Sequence, residues 1–364
     1  MKKKINALIL CCLFLSFTGC SNSDDFTVDV PEEKQEEVNP MDAFTPLKSK
    51  PITNKKDLLG KGYDYTGSYA SDVSVKENVL DIDKFLNEKP ECYDKMESTQ
   101  SSNFTVSGAN AWRYTKQLTN ISNDSYWNPI PDNITAFSGF ILDNEMLYNK
   151  DDKNAKDYSF ASIHYYFHNG KYALNARPDD LFDYLTVDFR NDITSLSANK
   201  IIEKYGTHVI GEYIKGMRLD LIYKSKIDKS GYTTPEYDGI SYTEEYIEDG
   251  IRHTLRSIGY WPNGPGNPPD ENNVKLNGIP ILYIENHGGD NSLIPSGVYN
   301  LQKQYPQLNI HKWFQSLTED NAALVDLNLD KLIPIYELVT DELKKTELQN
   351  AIEKYIKDRQ IVFK

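Results

Sequence analysis

The spacing of apolar residues changes abruptly near residue 206. Ile201 and Ile202 follow Leu196 at helical spacing, and Tyr205-Gly206 then break the period. Residues 207–219 are rich in β-branched and aromatic side chains, which favour strands. The pattern therefore predicts a helix, a tight glycine corner and a long strand.

Apolar patterns also predict several more strands, the full extent of the helix before the corner and one further helix. One short strand is predicted within residues 71–83, around residues 79–82, and the others are centred on residues 104–114, 161–168, 171–174 and 279–284. Amphipathic spacing predicts a helix over residues 178–204 and another in the C-terminal region up to Arg359. The segments 121–160 and 225–275 show little periodicity and are predicted to be irregular, polar inserts.

Five short motifs, in order along the chain, resemble the membrane attack complex/perforin (MACPF) family. The most specific is Tyr205-Gly206-Thr207-His208, with Gly216 eight residues after the histidine. The others are Leu59-Gly60-Lys61-Gly62-Tyr63-Asp64, His287-Gly288-Gly289-Asp290, the stretch from Trp313 to Val325, and Leu332-Ile333-Pro334 with the helix after it. The resemblance covers roughly residues 57–359. It implies an α+β fold like that of the cholesterol-dependent cytolysins, with a bent, twisted, four-stranded antiparallel central sheet flanked by helical clusters.

The same resemblance assigns structural roles to the motif residues, which are Tyr205, Gly206, Thr207, His208, Gly216, Gly288, Gly289 and Trp313. Gly206 and Gly216 would shape the backbone, and His208 would be a side chain hydrogen-bonded at the corner where the strand begins. The family usually has a second glycine after the one at position 216. This chain has Met217 there instead, which leaves open how easily the sheet can bend.

The first 50 residues predict a secreted protein with a lipid anchor. Lys2-Lys3-Lys4 precede an apolar run over residues 5–18, which is too short for a stable transmembrane helix. The run ends just before Cys20, as in bacterial lipoprotein signals, so residues 1–19 are predicted to be the signal peptide and Cys20 the lipidated residue. An ordinary cleaved signal with an incidental cysteine is the alternative.

The residues after Cys20 predict the location and the domain organisation. Asp24-Asp25 resemble the acidic tag of some Bacteroidetes lipoproteins, which favours the outer face of the outer membrane. Residues 20–50 are acidic and spaced by prolines, a composition typical of a flexible tether. Residues 51–364 are then the MACPF domain.

Charge and chemistry narrow the function classes. The net charge of −14 argues against a nucleic-acid partner and against passive docking to anionic membranes. No G-x-S-x-G, HExxH or compact Ser/His/Asp pattern stands out, so no catalytic residue, cofactor or enzymatic activity is predicted. His164 and His168 could share a face as metal ligands, but without an HExxH register packed or exposed histidines are favoured, and no metal is predicted. Cys92 is expected to be half-buried.

Two functions are consistent with the resemblance. In the first, the protein is a pore-forming effector that binds membrane lipid, forms a homo-oligomer and inserts hairpins from residues 121–160 and 225–275. The fragmentary alternation at Phe137, Gly139 and Ile141 gives this only weak support. In the second, the protein keeps the fold as a non-lytic surface binding or adhesion protein. The proline-rich second insert and Met217 favour that alternative.

Overall fold

Two long antiparallel strands, Tyr158–Leu174 and Glu212–Lys226, form the centre of the fold. The structure is a computed structural model that describes residues 58–97, 100–111, 113–115, 117–118, 158–226, 243–257, 280–304 and 306–359. The strands are β1 (Lys61–Tyr63), β2 (Val75–Asn78), β3 (Tyr93–Glu97), β4 (Ser101–Gly108), β5 (Tyr158–Leu174), β6 (His208–Ile210), β7 (Glu212–Lys226), β8 (Ile281–His287), β9 (Gly297–Asn300), β10 (Ala323–Leu327) and β11 (Leu332–Pro334).

Helices lie between and around these strands. The α-helices are α1 (Ile82–Glu88), α2 (Val187–Ser195), α3 (Ala198–Tyr205), α4 (Thr243–Ser257), α5 (Ile310–Gln315) and α6 (Glu342–Asp358). The described residues between 111 and 118 are also helical. None of the helices in the described ranges is long and apolar enough to cross a membrane.

The central sheet is antiparallel, and its two middle strands change their outer neighbours partway along. In one half the order is β4-β5-β7-β8-β9, and in the other it is β3-β5-β7-β10. The predicted α+β class and antiparallel sheet are confirmed. The sheet has seven strands among the described residues, and four lie side by side only in the half that contains β3 and β10.

A smaller sheet, ordered β11-β6-β1-β2, packs with α1, α2, α3 and α6 near the start of β7. Its core includes Phe85 of α1, Phe189 of α2 and Ile201 of α3, all completely buried. A second apolar cluster lies under α4 and α5, and a third lies around Tyr114 and Phe160. The central sheet is therefore covered on both faces.

The predicted helix–corner–strand element is confirmed. Helix α3 ends at Tyr205, Gly206 has φ 76°, and strand β6 begins at His208. The upstream helix predicted over residues 178–204 is wrong in one respect, because the chain breaks it into three pieces. A 3-10 helix spans Pro178–Tyr184, and Thr186 caps α2 by accepting a hydrogen bond from the backbone N–H of Phe189 at 3.2 Å.

Other predicted elements shift or change type. Residues 161–168 and 171–174 belong to one strand, β5, and the strand predicted at 279–284 is β8. The strand predicted within residues 71–83 is present as β2, but it ends at Asn78, before its predicted centre at residues 79–82, and α1 starts at Ile82. Residues 111, 113 and 114 are helical where a strand was predicted, because Tyr114 packs back onto Phe160.

The insert boundaries also need correction. The first insert begins after Gly108 and ends before Tyr158, and the second lies between Lys226 and Ile281. The second insert contains α4, whose apolar residues recur at helical spacing and pack on the sheet. Residues 121–157, 227–242 and 258–275 of the predicted inserts, the signal peptide and the tether lie outside the described residues. Cys92 is half-buried, as predicted.

Candidate functional site

The corner after α3 brings three predicted motifs together. The backbone N–H of Thr207 donates to the carbonyl of Tyr63 at 2.9 Å, and the N–H of Tyr65 donates to Thr207 Oγ1 at 3.0 Å. The N–H of Ile335, just after the Leu-Ile-Pro motif, donates to the carbonyl of Thr207 at 3.0 Å. The corner is therefore a junction of backbone hydrogen bonds between segments far apart in sequence.

Gly206 is required at this junction for two reasons. Its φ of 76° and ψ of −153° lie in a region that is essentially restricted to glycine. A Cβ there would also lie 2.4 Å from the carbonyl oxygen of Tyr63. His208 Nδ1 lies 2.9 Å from Thr207 Oγ1, and burial lowers the pKa of His208 to about 4.

The second group of predicted residues lies where the neighbour of β7 changes from β10 to β8. We call this region the bend. Gly216 pairs with His168 on β5, next to a shift in the β5–β7 register between His168 and Gly170. A Cβ on Gly216 would lie 1.9 Å from the carbonyl oxygen of Phe167. Such an irregularity makes a strand bend locally.

Met217 occupies the interior of the bend. Its side chain is completely buried, and a Cβ on Gly289 would collide with its sulfur. Trp313 of α5 is also fully buried and donates from Nε1 to the carbonyl oxygen of Gly288 at 3.1 Å. Four predicted residues, Gly216, Gly288, Gly289 and Trp313, therefore surround the one position at which the family pattern is broken.

One face of β5 and β7 carries a buried polar chain that the sequence analysis missed. Tyr114 Oη lies 2.8 Å from Ser162 Oγ, which lies 2.7 Å from His164 Nε2, and His164 Nδ1 lies 2.6 Å from Asp220 Oδ1. In the neutral imidazole, if Nδ1–H donates to Asp220, then Nε2 accepts from Ser162, which in turn accepts from Tyr114. The hydrogen bonds thus run in one direction along the chain.

Ser162, His164 and Asp220 have the connectivity of a catalytic triad, but their setting does not suit catalysis. Ser162 is completely buried beneath Tyr114. It lies between β4 and β7, where backbone N–H groups bond to neighbouring strands and are not directed towards an oxyanion. We therefore interpret the arrangement as a structural polar chain. His164 and His168 are both buried, in agreement with the packed alternative.

Arg218 continues the polar chain towards β8. Its Nη2 lies 2.8 Å from His287 Nε2, and its Nε lies 2.9 Å from Asp220 Oδ2. Burial alone would raise the pKa of Asp220, but the Arg218 guanidinium and the hydrogen bond from His164 lower it below its ordinary value. The ionised pair is therefore the stable form.

Asp220, Glu285 and His287 also form a candidate cation cluster, with ligand atoms within 4.8 Å of one another. Arg218 contacts both Asp220 and His287 within this cluster. A metal ion would have to displace a guanidinium that already supplies the positive charge. We therefore interpret Asp220 and His287 as partners of the Arg218 guanidinium and not as metal ligands.

Both inserts leave and rejoin the sheet at the same end. Gly108, the last residue of β4, pairs with Phe160 near the start of β5, and Tyr158 pairs with Lys226, the last residue of β7. Ile281, the first residue of β8, pairs with Lys224. The strands next to the inserts are therefore adjacent, in the order β4-β5-β7-β8, so two extended hairpins would prolong four neighbouring strands.

The topology, the glycine corner and the bend together define a MACPF-type fold, and the comparison with solved structures confirms it. One similar structure is a MAC/perforin-domain protein from Bacteroides thetaiotaomicron VPI-5482, described as a candidate cell invasion protein. It has a TM-score of 0.64 and 15% identity over 86% of this chain and 63% of its own length. A second is GNIP1Aa from Chromobacterium piscinae, with a TM-score of 0.56 and 18% identity over 85% of this chain and 57% of its own.

These similarities concern the fold alone, because the identities are low and the chain spans less than two thirds of each protein's length. No protein-family model matches the sequence, and the comparison with curated proteins gives no match. Of the predicted site residues, all but one lie at the corner or the bend. The exception, Cys20, lies outside the described residues.

Proposed function

We propose that the protein is a pore-forming effector, anchored by lipid on Cys20 to the outer face of a bacterial outer membrane. It would assemble into a homo-oligomer and insert one hairpin from each insert into a target membrane. A closed barrel is the form in which a sheet tolerates lipid, because it leaves no unpaired edge. The proposal assigns the protein no enzymatic activity and no cofactor.

The observation that carries this proposal is the shared end of the two inserts. Residues 109–157 and 227–280 each offer more than enough chain for two strands of about ten residues. Since β5 and β7 pair along almost their whole length, both hairpins would extend one continuous sheet. The similarity in fold to a candidate cell invasion protein is consistent with action on another cell.

The test uses protein lacking residues 1–20, on liposomes made from bacterial lipids and on liposomes made from host-like lipids. We expect dye release together with rings in negative-stain images on one of the two. Intact liposomes and monomers on both would contradict the pore-forming function.

A matched pair of variants tests whether the first insert crosses the membrane. If Phe137 and Ile141 face lipid, Phe137→Arg with Ile141→Arg should block release, because arginine near the bilayer midplane costs about 2–4 kcal/mol. The control is Ser138→Arg, which alternation places on the water-filled side and which should keep releasing dye. Equal release by all three proteins would exclude this stretch as a membrane strand.

A non-lytic surface binding protein is the second candidate, and Met217 favours it. A large, completely buried side chain stands where a second glycine would ease bending. In this case the protein would bind one type of cell or liposome without releasing dye. A co-sedimentation assay on the same liposomes separates binding from lysis.

A further inference from the structure

We propose that a buried hydrogen-bonded cluster around Glu248, which we call the clasp, couples the release of the two inserts from the sheet. The clasp consists of Glu248 on α4, in the second insert, and of Ala109, Arg113 and Gln117 at the start of the first insert. This inference rests on the proposed function, in which both inserts leave the sheet. It names the contact that would make them leave together.

In the clasp, the buried carboxylate of Glu248 accepts hydrogen bonds from residues of the first insert. Glu248 is 4% exposed. Its Oε1 accepts from the backbone N–H of Ala109 at 3.3 Å and from Arg113 Nε, and its Oε2 accepts from Arg113 Nη2 at 3.3 Å and Gln117 Nε2 at 3.0 Å. All four of these donor groups belong to the first insert.

The two inserts rest on opposite faces of the central sheet. On α4, Ile247 and Ile251 pack in the cluster that contains Ala161 of β5. Tyr114 packs against Phe160, with ring centroids 5.5 Å apart, and successive side chains on a strand point to opposite faces. Ala109 belongs to the same cluster as α4, so the chain crosses the end of the sheet where Glu248 meets it.

This position makes the clasp depend on both inserts at once. Charge-assisted hydrogen bonds in a buried setting are stronger than exposed ones, and the clasp has four of them. They exist only while both segments are docked, so each docked insert stabilises the other. Because such coupling is reciprocal, a change at Glu248 must loosen the segment that carries Arg113, and a change at Arg113 must loosen α4.

The same helix offers a matched control. Asp249 is paired with Arg252 at 2.7 Å, one turn along α4, and both side chains are at least a third exposed. That ion pair lies within the helix and does not reach the first insert. Asp249→Asn therefore removes one carboxylate charge from α4 without touching the clasp.

The experiment is hydrogen–deuterium exchange on the full mature chain, comparing wild type with Glu248→Gln and Asp249→Asn. Glutamine keeps the size of the side chain but removes its charge. We expect exchange in residues 109–118 and in residues 243–257 to rise together by about tenfold for Glu248→Gln. Asp249→Asn should leave residues 109–118 unchanged. A rise confined to residues 243–257 for Glu248→Gln would overturn the proposal.

Arg113→Gln provides the reciprocal measurement and guards against a folding defect in the first variant. It should raise exchange in residues 243–257, although Arg113 lies in the other insert. In each variant, exchange in β5 and β7 must stay at its wild-type value, which shows that the sheet is intact. Unchanged exchange in residues 243–257 for Arg113→Gln would overturn the clasp as well.

Dye release distinguishes a failure of the clasp from a failure of the proposed function. If exchange is coupled, Glu248→Gln should also release dye at a protein concentration several-fold lower than wild type. Coupled exchange without release by either protein would support the clasp and contradict pore formation. Release by wild type without coupled exchange would support pore formation and overturn the clasp.

Discussion

The corner and the bend both depend on a glycine that lies against a neighbouring carbonyl group, yet they are held in different ways. At the corner, backbone hydrogen bonds join Thr207 to Tyr63 and to Ile335. At the bend, side chains fill the space, with Met217 and Trp313 both completely buried. Backbone contacts leave few alternatives, whereas side-chain packing tolerates substitution and repacking. The corner is therefore the more strictly constrained of the two regions, and the bend is the one that can accommodate a change of side chain.

We expect the largest loss of stability from a substitution at the corner. We expect Gly206→Ala to lower the free energy of unfolding by about 5 kcal/mol, because alanine meets both a glycine-only backbone conformation and the carbonyl of Tyr63. Urea denaturation followed by tryptophan fluorescence measures it. The control is Gly170→Ala on β5, where a Cβ would lie 3.0 Å from Tyr172 Oη, and the expected loss is below about 1.5 kcal/mol. Similar losses for both variants would contradict a specially constrained corner.

The next effect tests whether a side chain holds the bend. We expect Met217→Gly, which restores the glycine pair of the family, to lower the free energy of unfolding by about 4 kcal/mol. The loss comes from an unfilled cavity and from added backbone freedom. Met217→Leu keeps most of the volume and should cost less than about 1.5 kcal/mol. If Met217→Gly were as stable as wild type, the side chain would not support the bend.

The sequence reveals the corner and the bend more readily than the polar face, for a physical reason. The corner depends on local features, since glycine ends α3 and strand formers follow it. The polar chain depends on the register that places His164 opposite Asp220 and Arg218 opposite His287, between strands far apart in sequence. Periodicity within one strand does not fix that register.

The two inserts contain one helix that the sequence could have predicted and one helical region that it could not. The helix α4 could have been predicted, because Ile247, Ile251 and Leu255 recur at helical spacing. The helical conformation of the described residues between 111 and 118 could not, since the aromatic residues there favour a strand and only packing against the sheet decides otherwise. Nothing local in the sequence indicates that Glu248 would meet Arg113.

The pH dependence of stability provides a further test at the bend, through His168. Burial lowers the pKa of His168 to about 4, so the unfolded chain binds a proton at this residue before the folded chain does. Stability is therefore lost as the pH falls from about 6.5 towards 4, by about 3 kcal/mol for this residue. His168→Gln should remove that part of the loss when unfolding is measured across this range.

The contribution of His168 is obtained by comparing His168→Gln with wild type and with a control variant, because another buried group titrates in the same pH range. Burial raises the pKa of Asp326 to about 6, so this carboxyl group favours the folded state as the pH falls through the same range. For this reason the difference between variant and wild type is informative, and the wild-type profile alone is not. His311→Gln, at an exposed position on α5, is the control and should follow wild type. A His168→Gln profile parallel to that of wild type would contradict the assignment.

The smallest expected loss of stability comes from a change to Trp313 that affects both its hydrogen bond and its packing. Trp313→Phe removes the donor to the carbonyl of Gly288, which lies 3.1 Å away, and leaves a small cavity. We expect a loss of about 2 kcal/mol in the free energy of unfolding. Phe314→Leu changes the adjacent ring, whose centroid lies 5.2 Å from that of Trp313, without affecting the hydrogen bond, and should cost less. A loss for Trp313→Phe greater than that for Met217→Gly would make Trp313 the main support, and the bend would then be as constrained as the corner.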